Sequence, residues 1–251
     1  MIVRSRSLFL VNLRTIRWRI LLGSACVLLP VIPGVIWLYR SGESYFSLTR
    51  RLPAEVLVVE GWLGYYGYDG FLAAASEFNQ GHYQYIVATG GLREKQNGQD
   101  PRNYAEMAEQ ALVRFGVPRD RVIAAPTEGI ERERTFKSAV AAWQALRDRG
   151  IRPLALNVLT LGPHARRSQL VYEKVFRPAS QVGVVAWAPS SYQTEPWWRS
   201  QSRTKCLLKE TVGYPFEVLL NSGRSSNSPV SDVSSNFRAA SRSNATFVSS
   251  L

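Results

Sequence analysis

Cysteine and histidine are scarce in this chain of 251 residues, with two of each: Cys26, Cys206, His82 and His164. That scarcity excludes a disulfide-stapled scaffold, and no zinc-type cluster can be assembled from residues so widely spaced, so the sequence predicts no metal site. Signatures of an activated nucleophile or a phosphate-binding loop are missing as well. There is no G-x-S-x-G, no G-x-x-x-x-G-K-[ST] and no H-E-x-x-H. Gly61, Gly64, Gly67 and Gly70 recur every three residues, which is not the G-x-G-x-x-G dinucleotide fingerprint. No internal repeat is visible.

Acidic residues are also few. Nineteen Asp and Glu face 31 Lys and Arg, a formal charge of +12. Such an excess arises either from nucleic-acid binding or from a basic flank beside a membrane segment. Arg4, Arg6, Arg14, Arg17 and Arg19 crowd the first nineteen residues, and no basic stripe interleaved with aromatics follows. Nucleic acid is therefore not an expected partner.

The most conspicuous feature present is residues 20–39, ILLGSACVLLPVIPGVIWLY, which carry no charge. Twenty residues of helix span about 30 Å, the thickness of a bilayer core. Trp18, Trp37 and Tyr39 stand at its ends, where amphipathic rings suit the headgroup region. A cleaved signal peptide would have a shorter apolar core followed by an A-x-A-like site, whereas Arg40-Ser41-Gly42-Glu43 follows here. A buried core helix is the remaining rival. The expected organisation is a basic cytoplasmic N-terminus (1–19), a transmembrane helix (20–39), a linker (40–54), an α/β domain (55–221) and a disordered Ser/Asn-rich tail (222–251). Cys26 would then lie in the bilayer, which removes it as a disulfide partner for Cys206. More arginines precede the span than follow it, so the domain is expected to face outward from the inner membrane.

Residues 55–221 alternate short β-branched runs with helical stretches. Strands are expected at 55–60, 85–89, 121–125, 154–161 and 182–187, and helices at 70–79, 104–115, 133–149, 164–176 and 205–220. Near-continuous apolar strands separated by helices predict a Rossmann-like, doubly wound α/β fold with a mainly parallel sheet of about five strands. Strand order is not readable from this pattern. In such folds ligands sit beyond the carboxyl ends of the strands. That rule selects Glu60-Gly61 after strand one, Thr89-Gly90-Gly91 after strand two, Arg134-Thr135 after strand three, and His164, Arg166 and Arg167 after strand four.

The glycines permit close approach of a ligand or form ordinary turns. Helix-start N–H groups and two arginines suit an anionic group such as phosphate or carboxylate. His164 reads as a general base or as a hydrogen-bond partner. Glu60 is a second candidate base or a turn residue, and Thr135 a ligand contact or a helix cap. Of the adjacent Trp197 and Trp198, one is expected in the core and the other at a cleft or a membrane.

VVEGW (58–62), ATGG (88–91), YAEMAEQALVRFGVP (104–118), ERTFKSA (133–139), TLGPHARRSQLVYEKVF (160–176), VGVVAW (182–187) and WWRSQS (197–202) occur in one order. On these pieces the chain resembles the DUF218 (YdcF-like) family, which includes the envelope proteins SanA and ElyC. The resemblance implies a Rossmann-like domain behind one membrane helix and a part in envelope integrity and peptidoglycan or lipid-carrier metabolism, and the glycine, histidine and arginine cluster near the anchor points to a phosphorylated or lipid-linked ligand. It places the family's glycine pair on Gly90 and Gly91, its Thr motif on Thr135 and its H-x-x-R motif on His164 and Arg167. Many members carry Ser-Glu before the second helix. Asn103-Tyr104 stands there instead, so no role transfers to that position. The cofactor is left unknown. A non-catalytic binding or regulatory module is the alternative function. Binding of S-adenosylmethionine, described for a cytoplasmic member, is a further one that an outward-facing domain disfavours.

Overall fold

The computed structural model describes residues 19, 22, 26, 29–91, 103–127 and 134–219. The expected basic N-terminus (but for Arg19) and the Ser/Asn-rich tail fall outside these residues, as does part of the expected span. The chain divides into two units, one ending at Gly42 and the other beginning at Glu43. In the first, residues 29–37 are helical and continue into a π-helical turn, Leu38–Gly42. Leu29, Val31, Ile32, Val35 and Ile36 are all exposed. Among the described residues no helix is long and apolar enough to cross a membrane.

The second unit is a five-stranded, all-parallel sheet: β1 (Val56–Glu60), β2 (Tyr85–Gly90), β3 (Val122–Pro126), β4 (Ala155–Leu161) and β5 (Gln181–Trp187), in the order β3-β2-β1-β4-β5. Five helices flank it: α1 (Asp69–Gln80), α2 (Tyr104–Arg114), α3 (Arg134–Asp148), α4 (Ala165–Phe176) and α5 (Gln201–Leu219). Every residue of β1 and β4 is buried, as expected of central strands covered on both faces. Alternation along β1 sorts the core. Leu57 and Val59 pack with Phe71, Phe78, Ala108 and Leu112 of α1 and α2. Val56 and Val58 pack with Phe136, Ala139, Val171 and Tyr172 of α3 and α4. Each fully buried Leu, Ile or Phe contributes about 1.5–3 kcal/mol, so both layers are needed to hold the sheet.

Local chemistry sets the helix ends. The Asn103 side chain accepts from the Glu106 amide at 2.8 Å, capping α2. Beyond α3, Gly150 takes φ +71°, the left-handed conformation that closes a helix.

The sequence boundary at residue 55 needs correction. Residues 43–54 are built into the α/β unit rather than forming a linker. Phe46 is buried. Arg50 exchanges backbone hydrogen bonds with Val184 at 2.7 and 2.9 Å, covering edge strand β5. The backbone N–H and C=O of Leu52 both bond to the buried side chain of Asn157. The tryptophan pair also differs from expectation. Trp197 is half-buried and Trp198 is 44% exposed, so neither lies in the core.

Candidate functional site

β1 and β4 are neighbours in the sheet although two strands separate them in sequence. This is the point where strand order reverses and a crevice opens beyond the strand ends. β1 delivers Glu60 to that rim. β4 delivers Thr160, and then a tight turn, Gly162–His164, with proline at its start, leads straight into α4. One turn further, α4 places Ser168 over the same spot.

The Glu60 carboxylate is buried and accepts from two hydroxyls. Thr160 donates to Oε2, and Ser168 donates to Oε1 at 3.0 Å. His164, also buried, sits between two carboxylates. Its Nε2 lies 3.7 Å from Glu60 Oε2 and 3.2 Å from the Thr135 hydroxyl at the first turn of α3. Its Nδ1 lies 2.8 Å from Glu210 Oε1 on α5. Arg167 holds both oxygens of Glu210, with Nε at 2.5 Å and Nη2 at 2.9 Å. Arg167 Nη2 also comes within 3.0 Å of Nδ1, because both nitrogens converge on Oε1.

Electrostatics fixes the roles. Burial pushes the Glu210 carboxyl up, but His164 and Arg167 outweigh it and bring the group down to about 2. Burial pulls the Arg167 guanidinium down, and Glu210 more than offsets it, leaving it above its ordinary value. Glu210 is therefore a carboxylate and Arg167 a cation. An ionised acceptor beside Nδ1 favours a proton on that nitrogen, and Nε2 faces the Thr135 hydroxyl. Glu210, His164 and Thr135 form a carboxylate–imidazole–hydroxyl row with Glu60 alongside. Glu60 and Glu210 lie on opposite sides of the ring and cannot chelate one ion together. Among the described residues no group of three His, Cys, Asp or Glu has metal-holding geometry.

No protein-family model matches the chain, and no curated protein matches it.

Of the residues singled out in the sequence, His164, Glu60, Thr135 and Arg167 meet in this cluster. Thr89 lies beside it, paired in register with Glu60 and donating to the Val59 carbonyl at 3.2 Å. Arg134 is exposed at the start of α3, next to Thr135. Arg166 turns away: its Nε donates to the Tyr45 carbonyl at 2.9 Å and its guanidinium stacks 3.9 Å over the Tyr45 ring. At Gly61 and Gly90 the close approach is made by protein. A Cβ on Gly61 would lie 2.3 Å from the Thr89 carbonyl oxygen, and one on Gly90, where φ is +147°, would lie 2.6 Å from Tyr104 Cβ. The first turn of α2 sits directly on the two strand ends, and Gly91 accepts from the Tyr104 amide at 2.9 Å.

Three members went unassigned in the sequence reading: Thr160, Ser168 and Glu210. The first two belong to the TLGPHARRSQLVYEKVF stretch (160–176), each four positions from His164. Glu210 carried a fainter signal. Arg203, Leu207, Glu210, Tyr214 and Glu217 recur at spacings of three and four, so they share one face of α5. That face packs on α4 through two ionic rungs seven residues apart, Arg167–Glu210 and Lys174–Glu217, the latter at 3.3 Å. Gly213 leaves room for the first rung, since a Cβ there would lie 3.3 Å from Arg167 Nε.

A hollow of about 310 Å³ opens beside Gly162, lined by Glu43, Ser44, Ser47, Thr49, Tyr192 and Arg203 among others. Gly162, in the turn that carries His164, forms part of its wall.

Proposed function

We propose that this chain is a membrane-anchored cell-envelope enzyme that performs acid–base chemistry on a phosphorylated or lipid-linked substrate at the β1/β4 crevice. The observation that carries the reading is the Glu210–His164–Thr135 row. An ionised carboxylate on Nδ1 orients the imidazole and turns Nε2 toward a hydroxyl. His164 then takes a proton from a hydroxyl or a water at the Thr135 position and returns it to the leaving group. Glu210 and Glu60 flank the ring and stabilise the imidazolium in between.

An anionic substrate suits the surroundings. The first turns of α3 and α4 converge on Thr135 and His164, so the positive ends of two helix dipoles lie at the cluster. Arg134 adds an exposed guanidinium beside Thr135. Arg166 and Arg167 are engaged by Tyr45 and Glu210.

Envelope placement rests on the uncharged 20–39 run, its upstream arginines and the exposed apolar side chains from Leu29 to Ile36. A helix that is apolar all round belongs in a protein core or a bilayer. The resemblance to the DUF218 family points the same way.

The test uses the full chain in detergent micelles with a panel of lipid-linked mono- and diphosphates, read by phosphorus NMR. His164→Gln is expected to lower turnover by about 10²–10⁴. Equal turnover by the wild type and the His164→Gln variant sinks the reading. The engagement of Arg167 by Glu210 and the burial of His164 favour one other reading, a non-catalytic binding module. It predicts that the same lipids raise the melting temperature while no product forms.

A further inference from the structure

Helix α5 is built inside out. Arg203, Glu210 and Glu217 are buried together with Leu207, whereas Leu208, Val212, Phe216 and Leu219 are 50%, 73%, 46% and 78% exposed. Spacings of four, four and three put these four side chains in one stripe, opposite the buried face. The inversion follows from the α4–α5 contact. The rungs Arg167–Glu210 and Lys174–Glu217 require the ionic face inward, and the apolar stripe is left outward. A stripe of large apolar residues left to water is costly, and contiguous ones mark contact surfaces.

The chemistry of the stripe selects its occupant. Lys205 and Lys209 are exposed on the same side of α5. The two acidic residues of the helix, Glu210 and Glu217, are both turned inward, so the outward face carries positive charge and no negative charge. Apolar residues bordered by lysines, with no acid among them, fit the boundary between acyl chains and anionic headgroups. Trp198, exposed and three residues before α5, is of the type that settles at that boundary.

Connectivity brings the helix to such a surface. The uncharged run ends at Tyr39, and Glu43 follows four residues later. Glu43 is held on Arg203 in the first turn of α5, with Nη2 at 2.6 and 2.7 Å from the two carboxylate oxygens. Four residues reach at most about 14 Å even when fully extended. A chain anchored through residues 20–39 therefore keeps the start of α5 close to the bilayer.

We propose that the outward stripe of α5 lies in the membrane interface, with Leu208, Val212, Phe216 and Leu219 in the headgroup–acyl boundary and Lys205 and Lys209 on anionic phosphates. This rests on the anchored reading above. It adds a second, peripheral membrane contact that holds the His164 helix layer against the lipid phase.

The test uses the full chain reconstituted into vesicles of mixed phosphatidylcholine and phosphatidylglycerol. In a Cys26→Ala, Cys206→Ala background, a fluorophore is placed singly at Leu29→Cys, Val212→Cys or Gln144→Cys, the last being exposed on α3. Spin labels on shallow acyl carbons are expected to quench the probe at residue 212 about twofold or more and the probe at residue 144 hardly at all, and labels on deep acyl carbons are expected to quench the probe at residue 29. Quenching at residue 29 without quenching at 212 overturns this inference and leaves the anchor standing. Quenching at neither overturns both. A probe at 212 shielded from aqueous iodide yet untouched by lipid spin labels means that a protein partner or a second copy covers the stripe, and this too overturns the inference. Lys205→Gln and Lys209→Gln should each lower the docked-to-undocked ratio about fivefold in anionic vesicles. No change on removing both overturns the assigned role of the lysines.

Discussion

Buried polar networks stand at both ends of the parallel sheet, and they are built differently. At the amino end, Asn157 of β4 is fully buried and all its contacts are neutral. It bonds the backbone of Leu52 in both directions, at 3.0 and 2.8 Å, and donates to the Tyr83 hydroxyl at 2.8 Å. The Tyr83 hydroxyl donates in turn to Glu77, which holds Arg51 at the surface. At the carboxyl end, Glu60, His164, Arg167 and Glu210 bring four ionisable groups together, and the row ends on a half-buried hydroxyl at Thr135. The first network satisfies backbone groups and runs out to an ion pair at the surface. The second keeps an imidazole nitrogen facing a hydroxyl in the crevice where strand order reverses. Burial and polarity alone do not mark a functional site. A titratable group oriented by a fixed charge, with its other end toward the crevice, does.

The contrast can be broken by experiment. The largest effect on folding is expected from Glu210→Ala, which strands the Arg167 cation and costs about 3–5 kcal/mol in urea unfolding. Asn157→Ala should cost less, about 1–3 kcal/mol, because it orphans only neutral groups, and turnover should persist in the folded protein. If the two costs rank the other way, the carboxyl-end cluster is not what holds α5.

Acid and alkali should separate the two ends. The Glu210 carboxyl is held at about 2 against an ordinary 4.5. A depressed carboxyl contributes stability that is present above pH 4.5 and lost as pH falls toward 2. That contribution is on the order of 3 kcal/mol, and Glu210→Gln should remove this acid limb. Burial pushes the Tyr83 phenol from 10 up to about 12, outweighing the Asn157 bond, which lowers it. Its contribution is present below pH 10 and lost as pH rises toward 12, so Tyr83→Phe should flatten the alkaline limb and leave the acid one unchanged. An acid limb that survives Glu210→Gln refutes the assignment. The smallest effect is expected from Arg51→Ala. Its guanidinium is largely in water, and the pair with Glu77 is worth under about 1 kcal/mol by the same unfolding measurement.

Much of the fold was legible in the sequence because buried parallel strands leave near-continuous apolar runs. The runs VLVVE, YIVAT and ALNVLTL fall on observed strands, and Asn103 and Gly150 stand at helix ends. Strand order was not legible, because each crossover can lead to either side of the preceding strand with the same apolar pattern. The site was legible in part. His164, Glu60, Thr135 and Arg167 share the carboxyl rim, and the topological rule finds that rim without knowing the order. Glu210 was hidden because α5 carries two stripes of opposite polarity, and the usual rule puts the apolar one inside. Arg166 and Arg167 look equivalent in sequence. One helical step of about 100° sends one to Tyr45 and the other to Glu210.

What the sequence determined by itself is the set of secondary elements, their α/β alternation, the uncharged run at residues 20–39 and the rim on which polar residues collect. Each depends on local composition and period, which a linear chain displays directly. Which carboxylate meets which ring nitrogen, which arginine is consumed by the protein and which face of α5 turns outward were decided by tertiary structure. Those choices depend on contacts between residues 43 to 121 positions apart. Packing against α4 turns Glu210 and Glu217 inward beside Leu207 and leaves Leu208, Val212, Phe216 and Leu219 outward.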